Sequence, residues 1–390
     1  MTLGGPGNSL ALVRVYLDHN ATTPVHPLVA DEMADVLRRC FGNPSSTHAD
    51  GAAARARVER AREQVAELVG AVPAEIVFTA GATESNNAVL YGVLGDTPAG
   101  GRLVTSAIEH PSVEEPARLL EERGCEVVRV GVDRDGLVDV SAVEAALAKP
   151  AALVSLIWAN NETGVIQDVG VLAELAAARE VPCHFDATQA VGKIPVDFSS
   201  LPVDWLSASA HKFNGPKGIG FLVSRTGCEL PPHVRGGPQE RRRRGGTENL
   251  PGIVGLGLAC ELARRELAER QREHARLRDR LWAGLEEKIP GVRRNGSAHS
   301  ALPGTLNVEF EATAGEVLLE ALDLEGVSVS AGAACHSGSV EPSHVLTAMG
   351  RTAEQARGSL RLSVGLGVDD AQVDRVLAIL PDLVSRVRTA

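Results

Sequence analysis

The segment Trp205-Leu-Ser-Ala-Ser-Ala-His-Lys212-Phe-Asn-Gly-Pro-Lys-Gly218 joins a short apolar strand, Trp205–Ser209, to a polar end and a Gly/Pro turn. A lysine at the end of such a strand stands where open α/β sheets take their ligands, beyond the carboxyl ends of the strands. Outward from this segment the same pattern recurs. Ile76–Thr79, Leu103–Ser106, Val127–Val130, Leu153–Trp158, Val181–Asp186 and Ile219–Val223 are further strand candidates. Several are nearly continuous apolar runs, as in strands covered on both faces. Pro116–Arg123, Val140–Ala148 and Val171–Arg179 read as helices between them. This alternation predicts an α/β fold with a mainly parallel sheet and helices on both sides.

The pattern changes after residue 250. Residues 251–288 read as one long amphipathic, Arg/Glu-rich helix. It leads into a smaller α/β domain ending in the helix Asp369–Arg388, whose acidic start suits a helix N-terminus. We therefore expect a large ligand-binding domain at 16–262 and a small C-terminal domain at 263–390, with residues 1–15 packing on the latter. Two or three domains also fit 390 residues at ~150 per domain.

Composition excludes several classes. Hydrophobic residues at 44% and charged residues at 23% suit a folded globular chain rather than a disordered or fibrous one. No run reaches the ~18 apolar residues of a membrane span, and the first residues lack the regions of a signal peptide. A cytoplasmic protein without membrane contact is expected. Aromatics at 3% and a net charge of −11 argue against a nucleic-acid partner. Arg241–Arg244 then reads as a solvated loop near a bound phosphate or a subunit interface. Six cysteines without a C-x-x-C pair suggest neither a disulfide framework nor a metal site.

The lysines can be searched one by one: Lys149, Lys193, Lys212, Lys217 and Lys288. Lys149 and Lys288 lie at helix ends near prolines, Lys193 in a Gly-Lys-Ile-Pro loop, and Lys217 before a turn glycine. Lys212 follows a strand beside Ser209 and His211, so its amine could form a Schiff base with an aldehyde cofactor while they donate to a phosphate. Thr79-Ala-Gly-Ala82-Thr83-Glu-Ser-Asn-Asn87 follows another strand, and the helix starting near Thr83 would aim free N–H groups at an anion. Asp186 ends a third strand. Buried there, its carboxylate needs a partner such as a protonated pyridine nitrogen, with Gln189 in reach of a ring's phenolic oxygen. His110, after a fourth strand, could stack on a planar ring. Alone, each piece also reads as ordinary structure: a solvated loop lysine, a plain strand-to-helix turn, a structural histidine.

Taken in order, the motifs resemble a known family. They are Tyr16-Leu-Asp-His-Asn-Ala-Thr-Thr-Pro24, Phe41-Gly-Asn-Pro-Ser-Ser46, Gly81-Ala-Thr-Glu-Ser-Asn86, Asn160-Asn-Glu-Thr-Gly164, Asp186-Ala-Thr-Gln189, His211-Lys212, Gly246-Thr-Glu-Asn249, Ser330-Ala-Gly-Ala-Ala-Cys335-His-Ser337 and Arg361-Leu-Ser-Val-Gly365. Spread over nearly the whole chain, they resemble the cysteine desulfurase and selenocysteine lyase family of class V aminotransferase-fold, pyridoxal-phosphate enzymes. The resemblance implies the fold type I of such enzymes, with a seven-stranded large-domain sheet, and a homodimer.

It also implies roles. Lys212 would carry pyridoxal 5'-phosphate and later move the substrate's α-proton. His110 would stack on the ring, Asp186 pair with its nitrogen and Gln189 meet its hydroxyl. Ala82, Thr83, Ser209 and His211 would hold the phosphate, with Thr247 added from a second subunit. Asn161 and Arg361 would hold the carboxylate of L-cysteine, and Cys335 would take its sulfur as a persulfide for an acceptor protein in iron–sulfur cluster, thio-cofactor, tRNA or natural-product synthesis. The run Ala-Ala-Cys335-His336-Ser resembles the selenocysteine lyase branch, whereas Pro111 after His110 departs from the animal selenocysteine lyases. L-selenocysteine is therefore the alternative substrate. Another lyase or aminotransferase of the same fold is a weaker alternative, since those reactions need no thiol.

Overall fold

The computed structural model describes residues 14–96, 99–331 and 341–389. The described chain opens with a two-residue strand, β1 (Val15–Tyr16), then helices α1 (Pro27–Arg39) and α2 (Ala49–Val69). Strands and helices then alternate through β2 (Ile76–Thr79), α3 (Ala82–Leu94), β3 (Arg102–Ser106), α4 (Pro111–Glu122), β4 (Glu126–Val130) and α5 (Val140–Ala146). They continue through β5 (Leu153–Ile157), α6 (Val169–Ala177), β6 (Cys183–Asp186), β7 (Trp205–Ser209) and β8 (Gly220–Ser224). These strands form one seven-stranded sheet in the order β2-β8-β7-β6-β5-β3-β4. Every neighbouring pair is parallel except the two that involve β8. All seven strand candidates are present, within about two residues of the boundaries read from sequence. The central strands are buried along their whole length, which explains the apolar residues that dominate β5; in β6 and β7 the buried His184 is satisfied by Ser155 and Ser207, and Asp186 and Ser209 end the strands at the sheet edge.

Helix α4 departs from the sequence reading. It begins at Pro111 rather than Pro116, with His110 as its N-cap. Proline suits a first turn, where its missing N–H is an orphan anyway, and both prolines satisfied that rule on paper. Pro116 lies inside the helix, and the Ser112 carbonyl it leaves without a helical donor accepts instead from Asn87 Nδ2 at 3.3 Å.

Helix α7 (Leu250–Lys288) is a single 39-residue rod, about 58 Å long at 1.5 Å per residue. Asn249 caps it by accepting from Gly252 N at 3.2 Å. Its first third, to Ala263, belongs to the core beneath the large sheet, and Leu277, Leu281 and Leu285 belong to a second core. That second core lies under a four-stranded antiparallel sheet of β9 (Val292–Asn295), β10 (Thr305–Phe310), β12 (Ser330–Ala331) and β13 (Ser359–Ser363). Helices α8 (Gly315–Leu324) and α11 (Asp370–Thr389) supply further side chains to it. Between them in the chain lie β11 (Val327–Ser328), α9 (His344–Ala348) and α10 (Ala353–Arg357). Of residues 1–15, only 14 and 15 are described. Val15 pairs with Val327 of β11 and sits in the second core, and Arg14 forms an ion pair with Asp323. The N-terminal segment thus straps the second core to the large sheet before the chain enters α1.

Among the described residues no helix is long and apolar enough to cross a membrane. Nor does any cluster of three His, Cys, Asp or Glu side chains there suit a metal ion.

Candidate active site

The carboxyl ends of the parallel strands β2, β3, β5, β6 and β7 meet at one edge of the sheet, and the antiparallel β8 begins there. A cavity of about 440 Å³ opens at this edge. Ala82, Thr83, His110, Asn161, Asp186, Gln189, Ser209, His211 and Lys212 all line it. The fold therefore gathers nine of the expected site residues from five loops. Lys217, read from sequence as a turn residue, lines it too.

At one end lies the start of α3. Its N-cap, Gly81, offers no side-chain acceptor, so the first-turn N–H groups are left for a ligand and the helix dipole favours an anion. The turn packs closely on β8: a Cβ at Gly220 would stand 2.7 Å from Gly81 Cα, so only glycine fits there. Ser209 is buried beside this end, and His211 lines it. Burial, with Lys212, Lys217 and Lys193 nearby, pulls the His211 pKa down to about 4, leaving a neutral imidazole.

At the opposite end Asp186 is buried, with no cation paired to it among the described residues. Its Oδ1 accepts from Thr188 N at 3.0 Å and its Oδ2 from Asn86 Nδ2 at 2.7 Å. The second Asn86 proton goes to Ser112 Oγ at 2.8 Å, and Ser112 reaches His110 Nδ1 through Oγ at 2.8 Å and N at 3.1 Å. A backbone N–H can only donate, so Nδ1 is the acceptor and the neutral His110 carries its proton on Nε2. Burial lowers the His110 pKa, with Lys212 and His344 adding to it against Asp186. One chain of hydrogen bonds thus runs from the carboxylate to the ring. Asn86 and Ser112 were not singled out from sequence, although Asn86 lies within a quoted motif.

Lys212 Nζ donates to the carbonyls of Asn20 and Ala21 at 2.7 and 2.9 Å. Burial and then Arg361 lower its pKa to about 8, partly opposed by Asp186 and Asp18. A sizeable neutral fraction at physiological pH makes it a usable nucleophile and base. Asn20 binds far more than Lys212. Its Nδ2 donates to Thr305 Oγ1 and the Asn161 carbonyl, and its N donates to Ser363 Oγ. It therefore joins the small domain's sheet to the floor of the cavity.

Arg361, on β13, is not among the lining residues. It donates to the Asn161 carbonyl at 2.9 Å and pairs with Asp18 at 2.7 Å, which sets it against the Asn161 edge. Its Nε is buried without a partner. Thr247 is exposed, before α7, and does not line the cavity of its own chain. Cys335 and His336 lie outside the described residues; Ser330, just before them, pairs opposite Arg361.

Arg241–Arg244 is more than a solvated loop. Glu240 is buried against Arg62 through two 2.8 Å contacts, and it also accepts from Phe78 N at 2.9 Å. This holds Glu240, Arg241 and Arg242 in left-handed backbone at φ of 48°, 57° and 68°, which is unfavourable for side-chain-bearing residues. Arg243 donates to the Ala74 and Ile76 carbonyls, and Arg244 grips Glu84 of α3 through two nitrogens at 3.0 and 3.1 Å. Arg241, Arg243 and Arg244 are thus bonded to the protein's own acceptors beside the anion end of the cavity, while Arg242 stays exposed.

A mainly parallel sheet with a buried amine, a buried carboxylate and an uncapped helix start around one cavity at its edge has the site of an α/β enzyme. The chain belongs to the aminotransferase class-V family, whose model matches residues 15–376. It is 46% identical over 376 residues to a cysteine desulfurase of Gluconacetobacter diazotrophicus, covering 96% of this chain and 94% of that one. A solved NifS-like protein superposes with a TM-score of 0.90 at 38% identity, covering 96% of this chain and all of the other. Another, titled SspA in complex with cysteine, gives 0.81 at 35% identity over 90% of this chain and 99% of its own. Within the family the chain thus falls among the cysteine desulfurases, and these relatives favour cysteine over the selenocysteine reading.

Proposed function

We propose that this enzyme binds pyridoxal 5'-phosphate in the cavity and removes sulfur from L-cysteine, giving L-alanine and a persulfide on Cys335. The observation that carries the reading is the convergence of Lys212, Asp186, His110 and the α3 start on one cavity. The residues suit the cofactor end to end. The uncapped helix start with Ser209 and His211 matches its phosphate, Asp186, lacking a cation, matches its ring N–H, and His110 and Gln189 match its face and hydroxyl. Bound there, the cofactor supplies an aldehyde that condenses with amines and a ring that accepts the electron pair left by a departing α-proton.

The chain's own groups do the rest. Lys212 would hold the cofactor through its amine, and the same amine, when free, would carry the substrate's α-proton. Arg361 and Asn161 orient the substrate carboxylate, the guanidinium through paired N–H groups once its bond to Asp18 is shared. Cys335 attacks as the thiolate. An S–S bond forms at its Sγ while the substrate's Cβ–S bond breaks and its electrons stay with carbon, which takes up a proton to become alanine. Thr247 of a second copy completes the phosphate site, so the working form is a homodimer, and the persulfide passes to an acceptor protein. The large and small domains divide at 262/263, inside α7.

The test is Cys335→Ala. The variant should keep the visible absorbance of bound cofactor and lose alanine and sulfide formation from L-cysteine, measured against the parent enzyme. Undiminished turnover in that variant would remove the thiol from the mechanism.

A further inference from the structure

Lys193 reads from sequence as a loop lysine, yet its amine is buried in the turn after β6, where burial, with Lys212 and Arg361 beside it, lowers its pKa while the oxygens it donates to favour the charged form. Nζ donates to Gln189 Oε1 and, at 2.9 Å, to Asn20 Oδ1. At its other end the Gln189 amide donates from Nε2 to the Asn20 carbonyl at 2.9 Å. These two contacts determine which way the amide points. An ammonium has donors and no acceptor, and a peptide carbonyl has acceptors and no donor. The Gln189 oxygen must therefore face Lys193 and its NH₂ must face Asn20. One N–H of that NH₂ is used, and a second remains on a side chain that lines the cavity.

We infer that Lys193 is a positioning residue: by holding the oxygen of Gln189 it makes this amide a hydrogen-bond donor, and not an acceptor, toward the ring oxygen of the cofactor. The inference rests on the proposed cofactor. Without Lys193 only the Asn20 carbonyl, which accepts from Nε2, opposes a flip of the amide, and a flipped Gln189 would turn a carbonyl oxygen on an oxygen that is itself electron-rich. A donor at the ring oxygen draws electron density from it and so lowers the proton affinity of the neighbouring cofactor nitrogen; losing that donor raises it. The charge of Lys193 acts in the same direction. Its charged neighbours are Lys212 and Arg361 and, around a small cavity behind it, Arg270; burial pulls His19 and His274 on the same cavity down to about 3 and about 4, leaving both neutral. The experiment must therefore separate orientation from charge.

The measurement is the pH midpoint of the visible absorbance of the holoenzyme in the parent, Lys193→Met, Gln189→Ala and the double variant. Lys193→Met and Gln189→Ala should each raise the midpoint by roughly half to one unit, the size of one net hydrogen bond. The double variant should go no higher than Gln189→Ala, because Lys193 acts through that amide. A parent-like midpoint in Lys193→Met overturns the inference, as does a full further rise in the double variant, which would assign the effect to charge. If Lys193→Met does not fold, Gln189→Glu keeps a partner for Lys193 while removing the donor. It should raise the midpoint at least as far as Gln189→Ala, and a parent-like value overturns the inference. A parent protein that gains no visible band overturns the cofactor reading, and the inference with it.

Discussion

Two amides flank the cavity, and opposite charges orient them. Asn86 is held by an anion: its NH₂ faces Asp186 and spends its second proton on Ser112, and its Oδ1 is buried without a partner. Gln189 is held by a cation, Lys193, and keeps a proton free. The same functional group becomes a relay on one side and a donor on the other. The two sides also limit buried charge by opposite proton movements. On the carboxylate side Glu109, fully buried next to His110 in the chain, is pushed up to about 8 by burial, against hydrogen bonds from Ser106 and Ile157, so it is mostly neutral near pH 7. On the amine side burial takes Lys212 down to about 8. An uncharged acid and a partly uncharged amine are what a low-dielectric edge favours.

The largest test of this contrast is removal of the amine. Lys212→Ala should lower turnover of L-cysteine at least about 10³-fold, since attachment and proton transfer rest on one nitrogen. Borohydride reduction of the variant should leave no covalent cofactor adduct. An adduct equal to that of the parent would move the amine's role to another lysine, Lys217 being the nearest candidate on the cavity wall.

The next test uses pH and the cofactor-free protein. Glu109 binds its proton more tightly folded than unfolded, so from its ordinary value near 4.5 up to about 8 the folded state holds more protons and stability falls as pH rises. Lys212 behaves conversely. Between about 8 and its ordinary 10.5 the unfolded state holds more protons, so stability recovers as pH rises. Urea unfolding across pH 5 to 10 should show Glu109→Gln flattening the lower limb and Lys212→Met the upper. The two variants flattening the same limb would break the comparison.

The smallest effect is expected at Ser112, which closes the relay. Ser112→Ala removes the hydroxyl acceptor of Asn86 and one of the two donors to His110 Nδ1, while the backbone N–H remains. At about 1 kcal/mol per net hydrogen bond, turnover should fall several-fold with unfolding stability little changed. A loss as large as that of Lys212→Ala would show that His110 depends on Ser112 for more than its tautomer.

Much of the fold could be read in the chain. Most of the strands β2 to β8 are short apolar runs bounded by polar or Gly/Pro residues, as burial on both faces favours, with the edge strand β4 and the His/Asp-bearing β6 as the exceptions. Asp186, Lys212 and the turn before α3 were legible for the same reason: each directly follows such a run, so its place at the sheet edge is a local fact. The start of α4 was not. Pro111 and Pro116 satisfy the same local preference, and the choice fell to His110 as cap and to Asn87, a residue of α3, as donor to the freed carbonyl.

The orienting residues were hidden more deeply. Asn86 and Asp186 are 100 positions apart, Lys193 and Asn20 are 173 apart, and Arg361 and Asp18 are 343 apart. A lysine in a Gly-Lys-Ile-Pro turn carries no local sign that its amine is buried against two amides, and four consecutive arginines look like a basic patch until the carbonyl and carboxylate partners of Arg241, Arg243 and Arg244 are in place. The sequence by itself determined the sheet, the cavity edge and the reactive groups, because backbone periodicity and strand ends are encoded within a few residues. The tertiary structure decided which side chains orient those groups and in which protonation state, because hydrogen-bond partners and burial exist only once distant segments have packed together.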